Sequence, residues 1–121
     1  IPIGLLIAAV VYMNEFPDHD SDKQTGKNTL IVVFGPEKAR FGYVALVASA
    51  FISIVVMALN GIFPKLTLIT LISAYFGITA TTTLYKHYNS RLLQPANWGT
   101  IYLHSAAGFL FCIGIWLGTP V

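Results

Sequence analysis

Residues 41–63 read FGYVALVASAFISIVVMALNGIF, without a single charge. About 20 consecutive apolar residues are what a helix needs to cross the hydrocarbon core of a bilayer. Two further stretches, 66–85 and 98–118, have the same character, and residues 1–13 look like the end of a fourth. At membrane depth no water is available to backbone N–H and C=O groups, so they must pair within a helix or around a closed barrel. None of the stretches alternates polar and apolar residues as a barrel strand does. The sequence therefore predicts an all-α fold, a multi-span transmembrane helix bundle. Its parts are a helix end at 1–13, a polar loop at 14–40 and helices at 41–63, 66–85 and 98–118.

Composition agrees. Of 121 residues 55% are hydrophobic and 10% charged, with a mean hydropathy of +0.70, far from the average of a soluble domain. A net charge of +2, widely dispersed, gives no footprint for nucleic acid. The chain starts at Ile1 inside an apolar run with no basic residues ahead of it, so a signal peptide is not expected and the sequence reads as a piece of a longer protein. Cys112, the one cysteine, lies in an apolar stretch and is expected to be a small packed side chain. Asn60, Gly61 and Pro64 should close one helix, and Gln94, Pro95, Ala96 and Asn97 should form the turn before the last.

Basic residues orient the bundle. Lys23, Lys27, Lys38 and Arg40 lie in the first loop and Lys86 and Arg91 in the third, on one side if the helices alternate, against Lys65 alone on the other. The positive-inside rule makes the first side cytoplasmic and puts the C-terminus opposite. Tyr85, Tyr88, Trp98 and Tyr102 at one end and Trp116 at the other would form aromatic belts.

All five acidic residues, Glu15, Asp18, Asp20, Asp22 and Glu37, fall between the first and second spans. Pro17 suits the first position of a new helix, so a short helix is expected to start there. Asp18 and Asp22, four apart, would then share a face, with Asp20 turned away. Neighbouring carboxylates repel unless a cation lies between them, and oxygen ligands without cysteine favour Mg²⁺ or Ca²⁺. Acids solvated in a helix's first turn are the plain alternative. An EF-hand would place Asp18, Asp20 and Asp22 at loop positions one, three and five, but Lys23 stands where glycine is needed and Thr29 where the bidentate glutamate belongs. A P-loop around Gly26 and Lys27 fails at Ser21 and Asn28. Lys23 and Lys27, also four apart, could converge on the metal face, and Gly26 could bring backbone N–H groups to an anion. Carboxylates beside ammonium groups suit a metal-bound diphosphate. Ordinary interfacial lysines are the other reading.

The stretch Asn14-Glu15-Phe16-Pro17-Asp18-His19-Asp20-Ser21-Asp22-Lys23-Gln24-Thr25-Gly26-Lys27-Asn28-Thr29-Leu30, continuing to Phe34-Gly35, resembles the second aspartate-rich motif of the UbiA superfamily of intramembrane prenyltransferases. The resemblance covers essentially the whole chain. It implies the C-terminal part of a nine-helix fold, with three helices following the motif. It further implies Mg²⁺-dependent transfer of a prenyl group from a polyprenyl diphosphate to an aromatic acceptor in the lipid bilayer. By position, Asp18 and Asp22 correspond to metal ligands, Lys23 and Lys27 to basic residues beside the diphosphate, Asp20 to an acidic intermediate position and Asn14 to a polar residue at the membrane end of the site. Asp18, Asp22 and Lys27 would carry catalysis. The run Gly-Lys-Asn-Thr-Leu is most similar to the menaquinone branch, whose acceptor is 1,4-dihydroxy-2-naphthoate, although Asn-Glu-Phe-Pro departs from it. The family's first aspartate-rich motif is absent from these residues, so the chain alone is expected to be inactive.

Elsewhere, His104 could touch an acceptor or be a hydrogen-bonded structural histidine. The third loop, with His87, Tyr88, Asn89 and Arg91, could cover the site or simply be solvated. Thr79, Thr81, Thr82 and Thr83 are expected to bond preceding carbonyls or neighbouring helices, and Gly114 and Gly118 to pack helices within the chain. Two other functions fit a membrane chain with an acidic loop. A transporter or channel module could recruit a cation there, although its spans hold no Asp, Glu, Lys or Arg to line a pathway, and a structural subunit would leave the loop solvated.

Overall fold

A computed structural model describes residues 1–119, apart from the side chain of Arg91, which places that basic residue's side chain outside the described residues. Among them are six α-helices and no strand: α1 (Pro2–Asn14), α2 (His19–Gln24), α3 (Leu30–Phe34), α4 (Pro36–Leu59), α5 (Ala74–His87) and α6 (Gln94–Gly118). A 3₁₀ segment, Lys65–Ser73, runs directly into α5, and a shorter one, Arg91–Leu93, into α6. Three helical stretches are long and apolar enough to cross a membrane: Pro36–Leu59, Lys65–His87 and Gln94–Gly118.

These stretches and α1 form a closed ring. α1 packs on α4 and α6, while Lys65–His87 fills the remaining side between α4 and α6. Each helix turns one narrow stripe inward, such as Leu6, Ala9 and Met13 of α1 or Ala39, Tyr43, Ala50, Ile54 and Ala58 of α4. Spacings of three, four and seven keep these residues on one face. Large apolar residues such as Ile52, Ile78, Phe109 and Trp116 point outward. Small residues at the contacts let backbones approach closely, which is how helices gain packing energy where lipid removes the hydrophobic drive. Gly114 meets backbone directly, because a Cβ there would lie 2.6 Å from the Thr67 Cα. Gly118 meets Pro64 in the same way, so both glycines serve packing within the chain, as expected.

The boundaries differ from the sequence reading at several points. α4 starts at Pro36, five residues ahead of 41, because Gly35 (φ 78°) breaks the chain after α3 and Pro36 suits a first helical turn. Gln94, Pro95, Ala96 and Asn97 are the first turn of α6 rather than a turn before it, and Pro95 is again placed where its missing N–H costs nothing. The first half of the third span is 3₁₀, not α. With three residues per turn, Thr67, Thr70 and Ser73 stack on one face, all buried, and that polar edge lies against α6. Thr67 Oγ1 donates to Pro64 O (2.8 Å) and Ser73 Oγ to Thr70 O (2.6 Å). Thr79, Thr82 and Thr83 of α5 likewise bond preceding carbonyls.

Gly114→Val should lower the thermal midpoint in detergent by the equivalent of about 1–3 kcal/mol, the usual cost of overpacking. Gly108→Ala, where an added Cβ meets nothing within 4 Å, should leave the melt unchanged.

Candidate functional site

The acidic loop is seated on the ring's end by its apolar residues. Phe16 and Ile31, 3% and 0% exposed, enter a cluster with Met13, Ala39, Tyr43, Leu84, Leu93 and Ala96. Between these two anchors the chain turns through Pro17, forms α2 and crosses to α3, whose N-terminus is capped by Thr29 Oγ1 accepting from Val32 N (3.3 Å). α2 begins at His19 with Asp18 as its N-cap, two residues later than the sequence suggests. Pro17 instead stands in the turn that closes α1, where Phe16 N–H donates to Met13 O and His19 N–H to Phe16 O.

Asp18 and Asp22 are one helical turn apart, with Asp22 N–H donating to Asp18 O (2.8 Å), as expected for a shared face. Their environments differ sharply. Asp18 is exposed and Asp22 is only 8% exposed. Both carboxylate oxygens of Asp22 accept from Lys27 Nζ, at 3.1 and 3.3 Å. The helix stop explains this pairing. Gly26 takes φ 75°, Lys27 N–H bonds Asp22 O (2.9 Å) and Gly26 N–H bonds Lys23 O (3.3 Å), the paired pattern of a Schellman ending. The chain therefore folds back, carrying Lys27 to Asp22.

Two expectations are corrected by this ending. Lys23 and Lys27 do not share a helical face, because Lys23 lies in the last turn of α2 and Lys27 beyond it. The N–H groups of Gly26 and Lys27 close the helix and are not free for an anion. Lys23 is exposed, and Asn14, at the end of α1, accepts from Asn97 Nδ2 of α6 (3.1 Å).

Asp20 turns away from this pair. Its carboxylate lies 2.9 Å from His19 Nδ1, and both residues border a cavity of about 610 Å³ with Phe16, Tyr88, Asn89 and Ser90. The third loop therefore closes on the Asp20 side of α2, not on Asp18 and Asp22. His104 sits within α6 with Nε2 buried and without a hydrogen-bond partner, so the structural bond considered for it is not made among the described residues. Arg40 is a feature that charge counting missed. Its guanidinium lies 4.5 Å from the Tyr85 ring, 5.1 Å from Tyr88 and 5.7 Å from Phe41, joining α4 to the end of α5 by cation–π contacts. The i, i+3 spacing of Tyr85 and Tyr88 was the available signal.

Among the described residues no three His, Cys, Asp or Glu side chains gather into a metal cage. Asp18 and Asp22 offer two carboxylates, the first exposed and the second paired with Lys27. A magnesium ion held by one or two carboxylates keeps waters and takes its remaining oxygens from substrate phosphates.

The model of the UbiA prenyltransferase family matches residues 1–104, the stretch that runs from α1 through the acidic loop into α6. The chain belongs to the UbiA prenyltransferase family. No curated protein and no solved structure matches it. Membership of the UbiA family, with three membrane-crossing helical stretches, makes this an integral membrane protein of prenyltransferase type.

The seating of the loop can be tested directly. Phe16→Ala should destabilise the loop by roughly 3 kcal/mol and speed amide exchange from His19 to Thr29, while exchange in α4 below Tyr43 stays slow.

Proposed function

We propose that Asp18 and Asp22 bind Mg²⁺ with the diphosphate of an allylic prenyl substrate, and that the protein transfers the prenyl group to an aromatic acceptor in quinone biosynthesis. The observation that carries this reading is the Asp22–Lys27 pair, beside exposed Asp18, at the membrane end of a bundle of the prenyltransferase family.

The residues divide the work by charge. Asp18 offers an open carboxylate, and Asp22 a second whose partner is a lysine able to turn to another anion. Lys27 and Lys23 supply ammonium donors for phosphate oxygens, with three N–H bonds each. Asn14, held by Asn97, presents an amide at the membrane end, and Asp20 stands behind as an orienting acceptor for His19. Bound Mg²⁺ would offset the charge that builds on the departing diphosphate. The allylic C–O bond breaks, and the electron-rich ring of the acceptor attacks the prenyl carbon and loses its ring proton. Positioning and exclusion of water are the protein's larger share.

The resemblance of residues 26–30 to the menaquinone branch makes 1,4-dihydroxy-2-naphthoate the acceptor to try first. The acidic loop is assigned to the cytoplasmic side and the C-terminus to the opposite side, by the six basic residues against Lys65.

In membranes containing the intact protein, Asp18→Ala and Asp22→Ala should each cut prenyl transfer on the order of a hundredfold or more. Chelation should abolish it and Mg²⁺ restore it. Transfer that survives both substitutions would sink the assignment. Comparison of the naphthoate with a monocyclic phenol decides the acceptor.

A further inference from the structure

A groove of about 300 Å³ runs down the outer side of the bundle between α4 and α5. Val44, Ala48 and Phe51 line it on α4, and Ala74, Ile78 and Thr81 on α5. Both sets follow the i, i+4, i+7 spacing of a single helical face. Arg40 stands four residues before Val44 and Tyr85 four after Thr81, so the same two faces continue to the end of the bundle that carries the acidic loop. There they meet, with the Arg40 guanidinium 4.5 Å from the Tyr85 ring.

That guanidinium is short of partners. Its Nε is buried without a hydrogen-bond partner among the described residues, and Glu37 Oε1 lies 3.9 Å from Nη2, beyond hydrogen-bond length. The cation–π contacts use the face of the group and leave its N–H edge open. A planar fork of donors is the geometry that takes phosphate oxygens two at a time. From Arg40 to Phe51 the groove descends about 16 Å at 1.5 Å per residue. This is close to half of the roughly 30 Å hydrocarbon core, the depth that one lipid chain reaches from its own leaflet. Among the described residues no aspartate lines the groove or pairs with Arg40, so a single phosphate fits its head and a metal-bound diphosphate does not. On the sidedness proposed above, this end meets the leaflet in which anionic lipids are concentrated.

We propose that Arg40 and the α4–α5 groove form a binding site for an anionic phospholipid, with the phosphate on the guanidinium and one acyl chain along Val44, Ala48 and Phe51. Bound lipid ties α4 to α5 and stabilises the bundle.

The test follows the thermal midpoint of the intact protein in detergent as phosphatidylglycerol, or phosphatidylcholine with the same chains, is added. Phosphatidylglycerol should raise the midpoint at about fivefold lower concentration, the scale of one basic residue meeting an anionic lipid. Arg40→Gln should weaken the response to phosphatidylglycerol about tenfold or more, the scale of hydrogen bonds to a charged group. Because this change also removes the cation–π contacts, the readout is the rise produced by lipid and not the starting midpoint. Ala48→Phe leaves those contacts in place and fills the groove, and should weaken the response to both lipids about tenfold. Ala45→Phe, the same change on the side of α4 toward α1, should leave the response unchanged. Equal responses to the two lipids, a preference for phosphatidylglycerol that survives Arg40→Gln, or an unaltered response in Ala48→Phe would each overturn the site. Inorganic phosphate reproducing the rise by itself would reveal an anion site without a lipid, and the proposal would fall.

Discussion

Lipid offers no hydrogen bonds, and that single constraint shapes the chain. Every backbone group between Pro36 and Leu59, or between Gln94 and Gly118, must find its partner within its own helix. The 3₁₀ segment obeys the same demand with a tighter turn. Its three-residue repeat brings Thr67, Thr70 and Ser73 onto one edge, and Gly114 gives that edge room against α6. With backbone polarity settled internally, cohesion falls to close packing. Alanines 9, 39, 50, 58, 80, 96 and 107 supply it around the ring.

The polar loop depends on that ring. A six-residue helix such as α2 has too few internal bonds to stand alone in water. Phe16 on one side and Ile31 on the other fasten it to the cluster formed by the helix ends. Between the fasteners, the Gly26 stop and the Thr29 cap fix where α2 ends and α3 begins, and this sets which carboxylate Lys27 reaches. The arrangement of charge is thus a consequence of apolar anchoring and turn chemistry, not of attraction among the charges themselves. An exposed lysine paired with a carboxylate contributes at most about 1 kcal/mol, too little to organise a loop.

The spans were legible because their signal is long and redundant, and an uncharged run such as 41–63 admits little else. Their ends were not. Glu37, Lys38 and Arg40 were counted as loop because they are charged, yet a helix entering the interface carries charge in its first turn, and Arg40 hides its guanidinium among Tyr85, Tyr88 and Phe41. Pro95 was taken as punctuation where it is a helix starter. The acidic pair was legible from spacing, and so was a short helix beneath it. The partition between exposed Asp18 and buried Asp22 was not, since it follows from the fold-back after Gly26. Spacing of four promised Lys23 and Lys27 a common face, and one glycine with positive φ removed it.

That partition bears on how the proposed site would fill. Asp22 is already neutralised by Lys27, so a cation approaching alone gains less there than at Asp18 and must displace an ammonium group. A diphosphate approaching alone finds Lys27 occupied in the same way. Arriving together, cation and diphosphate each take one member of the pair, and neither charge is left without a partner. On this reading the Asp22–Lys27 contact makes the two ligands raise each other's affinity by equal factors, as linkage requires. The contact is weak enough, with Lys27 62% exposed, for the exchange to cost little. A strong buried pair in the same place would hold the site shut.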